Sequence, residues 1–106
     1  MTRNDTRPIE VGDRFETRDS RDAGRIVEVI EVLGLDQCGR DRIAKVNAGP
    51  DVVCGRTKQE RTEYHRLRNT HYRIRTEVHP RNPEAVGRRV KVQESTLRDK
   101  YNRVSR

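Results

Sequence analysis

The segment Arg25–Leu33, RIVEVIEVL, constrains this chain more than any other. Its β-branched residues favour extended backbone, in which side chains alternate between two faces. Val27 and Val29 fall on one face, and Ile26, Ile30 and Val32 on the other. Apolar residues on both faces predict a long central strand that bends across a small barrel. The rest of the chain offers little to bury that strand. Only 30% of residues are hydrophobic, 39% are charged, and the aromatics are Phe15, Tyr64, Tyr72 and Tyr101. At 106 residues, the chain suits one domain with one modest core.

Further strands flank the central one. Residues 1–10 are polar around Pro8 and read as a loose lead-in. In Val11–Asp19 a Gly-Asp turn precedes alternation of Val11, Asp13, Phe15 and Thr17, a half-buried strand. Ser20–Gly24, SRDAG, is turn chemistry. Gly34–Asp41 reads as a turn, and Arg42–Gly49 as a strand with Ile43 and Val46 slightly out of phase. Residues 50–70 contain helix formers but only Tyr64 and Leu67 to bury, so a mobile insertion with a turn of helix is expected there. The repeated RTEYH (61–65) and RTEVH (75–79) do not make a hairpin, because that pairing opposes Arg66 to Arg73.

The stretch Thr76–Gln93 is read with the strand before it. Tyr72, Ile74, Thr76 and Val78 share one face, and Val86, Arg88, Val90 and Val92 share another. A loop over His79–Ala85, stiffened by Pro80 and Pro83, joins them into a hairpin. Its solvent face carries Arg73, Arg75, Arg89 and Lys91. The tail predicts one helical turn, capped at Ser95 or Thr96, and a short closing strand at Tyr101–Val104. The expected fold is therefore mainly β: a single five-stranded SH3-like barrel with a short helical turn near the C-terminus.

Charge is unevenly distributed. Residues 1–53 carry −2 and residues 54–106 carry +9, giving the net +7. A basic half suits a polyanion such as nucleic acid. Twenty of the 24 cations are arginine, whose planar fork matches phosphate. The codon bias of a GC-rich genome produces the same excess.

Enzymatic and metal chemistry find no support in the motifs. Cys38 and Cys54 form no CxxC pair, and Cys54 with His65 and His71 lacks the second close cysteine of a zinc finger. No GxSxG, P-loop, HExxH or GxGxxG occurs. A nuclease site from His65, His71 and His79 with Glu63 or Glu77 fails, because Pro80 interrupts the strand that would align Glu77 with His79. A non-enzymatic protein with neither metal nor cofactor is expected. No apolar run reaches the roughly 18 residues of a membrane span, and MTRNDTRPIE lacks a signal-peptide core. A cytoplasmic location and free thiols follow as expectations.

RDSRDAGRIVEVIEV, AVGRRVKV and LRDKYNRV together resemble small SH3-like β-barrel proteins of actinobacteria and their bacteriophages. The matching positions are Arg18, Asp19, Arg21, Gly24, Arg25, Val27 and Val29, then Gly87, Arg88 and Val92, then Leu97 and Tyr101. Residues 34–70 depart from the pattern as an insertion would. The resemblance implies a barrel fold and a phage or actinobacterial origin, with no settled activity. VGDRF also looks like the opening strand of nucleic-acid-binding barrels of the KOW and Tudor type, an analogy of fold alone. Two functions are expected in consequence. One is nucleic-acid binding through backbone contacts of the cationic hairpin at Arg73, Arg75, Arg89 and Lys91. The other is a protein-interaction module that binds a host or virion protein. An ordinary solvated cationic face is the competing explanation of the first.

Overall fold

The computed structural model describes residues 7–104. Five strands form one antiparallel sheet: β1 (Arg14–Thr17), β2 (Ile26–Leu35), β5 (Thr70–Val78), β6 (Arg89–Gln93) and β7 (Tyr101–Arg103). Their spatial order is β6-β5-β2-β1-β7. Between β2 and β5 come helix α1 (Gln37–Ala48), a small hairpin of β3 (Val52–Val53) and β4 (Arg56–Thr57), and helix α2 (Lys58–Asn69). Helix α3 (Glu94–Lys100) links β6 to β7. The fold is thus sheet-rich, but the described pairings leave the sheet open, with β6 and β7 as edges, where a closed barrel was expected. No helix among the described residues is long and apolar enough to cross a membrane.

The core lies on one face of the sheet. Phe15, Val27, Val29, Tyr72 and Ile74 point into it, and Ile9 and Leu97 cover them. Val27, Val29 and Leu97 are completely buried, each contributing about 1.5–3 kcal/mol of burial. Ile9 therefore anchors the end of the expected loose lead-in; residues 1–6 of that lead-in lie outside the described residues. The central strand is not covered on both sides. Ile26 and Ile30 are half-buried and Val32 is exposed. The register shifts between Val29 and Glu31, as at a β-bulge, which accommodates an extra residue and bends the strand. Glu28 pairs with Arg75, and beyond the irregularity Glu31 pairs with Arg73, so both acids share the polar face.

The segments read as a turn and a strand over 34–49 are mostly helix. Asp36 caps α1 by accepting from the Gly39 N–H at 2.7 Å. Ile43 and Val46, out of phase for a strand, are three apart and share one side of this helix. Gly39 is buried where the start of α1 meets the end of α2; a Cβ there would stand 2.4 Å from the Asn69 Cβ. Where a mobile insertion was expected, α2 runs for twelve residues. A capping box starts it: Thr57 accepts from the Glu60 N–H, and Glu60 accepts from the Thr57 N–H. Its weak apolar face is supported by α1 and by Arg61, which donates to the carbonyls of Pro50 at 2.6 Å and Arg56 at 2.7 Å. At the hairpin tip Cys54 and Gly55 both have positive φ, 52° and 78°, as a two-residue type I′ turn requires.

Helix α2 runs straight into β5, with Asn69 and Thr70 adjacent across the boundary. The expected hairpin forms, but β6 starts at Arg89, not Val86. Val86 and Val90 are 49% and 44% exposed, so these valines are not core. The tail follows the expectation of a helical turn and a short strand. Its cap differs: Gln93 occupies that position without a side-chain bond, and Ser95 and Thr96 lie inside α3.

Candidate nucleic-acid interface

Alternation along β5 puts Thr70, Tyr72, Ile74 and Thr76 in the core and turns His71, Arg73, Arg75 and Glu77 outward. The β5–β6 register then fixes the neighbours. Arg73 lies directly opposite Lys91, and Arg75 directly opposite Arg89. All four sequence-predicted cations therefore meet on one outer face. Directly paired side chains stand about 4.5–5.5 Å apart at Cβ, and same-face residues repeat about every 6.8 Å along a strand.

The two strands differ in how their cations are held. Arg75 Nη2 donates to Glu28 Oε1 at 2.9 Å, and Arg73 Nε donates to Glu31 Oε1 at 3.2 Å. Farther along the same sheet, Arg14 Nε donates to Glu77 Oε1 at 2.6 Å. Arg89 and Lys91, on the edge strand, are exposed, and neither has an ion pair or side-chain hydrogen bond among the described residues. The face is thus graded from mixed sign over β1 and β2 to purely cationic at β6. Sequence reading missed Glu28 and Glu31, because only the register irregularity brings Glu31 into line with Glu28. His71 occupies the same outer face, with Nδ1 2.8 Å from the Asn69 carbonyl oxygen.

Beneath this face a buried carboxylate positions the hairpin. Glu94 is 1% exposed. It accepts from Tyr72 Oη at 2.9 Å, Arg66 Nη1 at 2.9 Å and Arg98 Nε at 2.8 Å. Burial pushes the Glu94 carboxyl upward, but hydrogen bonds from Arg66, Arg98 and Tyr72 outweigh it and hold the group below its usual value. Burial and the same carboxylate push Tyr72 up to about 12. One acid thereby ties α2, α3 and β5 together.

Among the described residues no hydrogen bond or ion pair joins His65, His71 or His79 to Glu63, to Glu77 or to one another. His79 follows β5, accepts from the Asn82 N–H at 3.1 Å, and lies 3.6 Å from Asp22. Cys38 and Cys54 are free and exposed, one near the start of α1 and one at the hairpin tip. Among the described residues no group of three or more His, Cys, Asp or Glu is placed to hold a metal. No family model, curated protein or solved structure matches this chain.

Proposed function

We propose that this protein is a small, basic, non-enzymatic SH3-like domain that binds nucleic acid through phosphate contacts of the β5–β6 outer face. The observation that carries the reading is the pairing of Arg73 with Lys91 and Arg75 with Arg89. Like charges directly opposed on a sheet cost stability, and a closely spaced polyanion relieves that cost. Tyr72 and Phe15 are buried away from this face, so base stacking is disfavoured and backbone contact favoured. The SH3-like reading is supported by the return of β7 to pair with β1, immediately after a short helix. Kinship with phage or actinobacterial proteins and a cytoplasmic location belong to the same proposal.

The test is salt-dependent retardation of duplex DNA or RNA. Each phosphate neutralised adds roughly 0.9 to the slope of log affinity against log salt for B-DNA. Replacing Arg73 and Arg89 by Gln should weaken binding about equally for all sequences and, where both touch phosphate, lower the slope by roughly 1.8. Absence of binding by the parent at about 50 mM salt rejects the reading.

A second reading, a protein-interaction module for a host or virion protein, is favoured by the hairpin tip. Val52 and Val53 are 57% and 40% exposed there, at the far end of the helical pair. Capture of a partner from nuclease-treated lysate, lost on Val52→Asp, distinguishes it from the first.

A further inference from the structure

Arg25 carries a guanidinium for which the chain supplies almost no acceptor. The side chain is half-buried just before β2, and its Nε is buried without a hydrogen-bond partner. Its Nη1 and Nη2 reach only neutral hydroxyls, Tyr101 Oη and Thr76 Oγ1, each at 3.4 Å. That distance is the weak limit of hydrogen bonding. Among the described residues no carboxylate lies within ion-pair distance of it. A half-buried cation whose Nε is cut off from water, with neither counter-ion nor full hydrogen bonding, is unfavourable, and such a group asks for a partner.

The surroundings indicate what that partner is. Arg25 lines a cleft of about 420 Å³ between the 3-10 turn at Ser20–Asp22 and the junction of α3 with β7. Arg18 and Lys100 line it too, and neither is held in an ion pair among the described residues. Three acids share the cleft. Asp19 is engaged: it accepts from Arg21 at 2.9 Å and caps the 3-10 turn. Asp22 lies 3.6 Å from the His79 imidazole, beyond hydrogen-bond reach, and Asp99 has no partner within the described residues. The three cations thus outnumber the two acids that no arginine or lysine holds in an ion pair among the described residues, and hydroxyls of Thr17, Thr96 and Tyr101 add neutral donors. The space is that of a small-ligand pocket, larger than a lone phosphate needs.

We infer that this cleft binds an oxyanion, the phosphate or carboxylate of a small molecule or chain end, on the guanidinium of Arg25. The site is separate from the outer cationic face, because Arg25 reaches Thr76 and Tyr101 on the core side of the sheet. Neither proposal depends on the other.

The experiment follows the Arg25 Nε–H resonance of the full chain in ¹H–¹⁵N spectra. It is titrated with inorganic phosphate, and with a tripeptide bearing either a free or an amidated C-terminus. A saturable downfield shift with phosphate identifies a phosphate-bearing ligand. A shift with the free but not the amidated peptide identifies a carboxylate chain end. Lys100→Gln should weaken the response about two- to fivefold, and Asp99→Asn should strengthen it by a similar factor. Both positions are exposed, so folding is not at stake. The double variant Arg89→Gln/Lys91→Gln should leave the titration unchanged, which separates this site from the nucleic-acid face. No shift with any probe, a weaker response in Asp99→Asn, or loss of the response in the hairpin variant overturns the inference.

Discussion

Arg66 of α2 donates to Glu94 of α3 at 2.9 Å, although 28 residues separate them in sequence. This bond helps fasten α2 to α3 and, through Glu94, to Tyr72 of β5. Arg66 is itself shared, since Glu63 also accepts from it. Its guanidinium is held in the charged form above its ordinary value, chiefly by Glu63 and also by Glu94.

Glu94→Gln should destabilise the protein by about 2–4 kcal/mol at neutral pH, because two arginines lose their buried counter-charge. The pH dependence has a definite sign. The folded pKa is depressed, so the contribution is complete above the unfolded value of about 4.3 and fades as pH falls through the lower folded value. Urea unfolding at several pH values should show the gap between parent and variant closing below about pH 4. A gap that widens on acidification contradicts the assignment.

Gly39→Ala should destabilise despite alanine's better helix propensity. The propensity gain is about 1 kcal/mol, but the new methyl meets the Asn69 Cβ, and both belong to packed helices. Overpacking of about 1–3 kcal/mol exceeds the gain. The double variant with Asn69→Gly should recover part of the loss in thermal unfolding.

Two valines of similar sequence appearance should behave differently. Val29→Asp places a charge at a fully buried position and should abolish cooperative unfolding. Val90→Asp, at a 44% exposed position on an edge strand, should cost under about 1 kcal/mol. Circular dichroism during denaturation checks both.

Glu28→Gln/Glu31→Gln should tighten nucleic-acid binding, because it releases Arg75 and Arg73 from acids that compete with phosphate. Exposed pairs contribute about 0.2–1 kcal/mol each, so the double variant should gain roughly two- to thirtyfold at low salt, with a steeper salt slope. Fluorescence anisotropy provides the measurement. Unchanged affinity would mean that the polyanion does not engage Arg73 and Arg75.

Strand alternation made much of the sheet legible. The phases of Phe15, Val27, Val29, Tyr72 and Ile74 all lead into the observed core. The four cations likewise share a face because alternation over β5 and β6 is regular. The helices were harder to read. α1 hides behind Ile43 and Val46, too few apolar residues to establish a period, and its packing depends on the absence of a side chain at Gly39. α2 was announced by T-K-Q-E at Thr57–Glu60, a capping-box signature outweighed by the scarcity of apolar residues after it. Glu94 looks like any surface acid in the sequence. Only the convergence of three separate elements makes it a buried centre.

At three junctions the chain passes between helix and strand with no linker: Asn69 to Thr70, Gln93 to Glu94, and Lys100 to Tyr101. A residue at such a junction serves both elements at once. Thr70 shows the result: its N–H closes the last turn of α2 on the Arg66 carbonyl, while the same residue opens β5 opposite Leu35, so α2 cannot fray there without disturbing the first pairing of the strand.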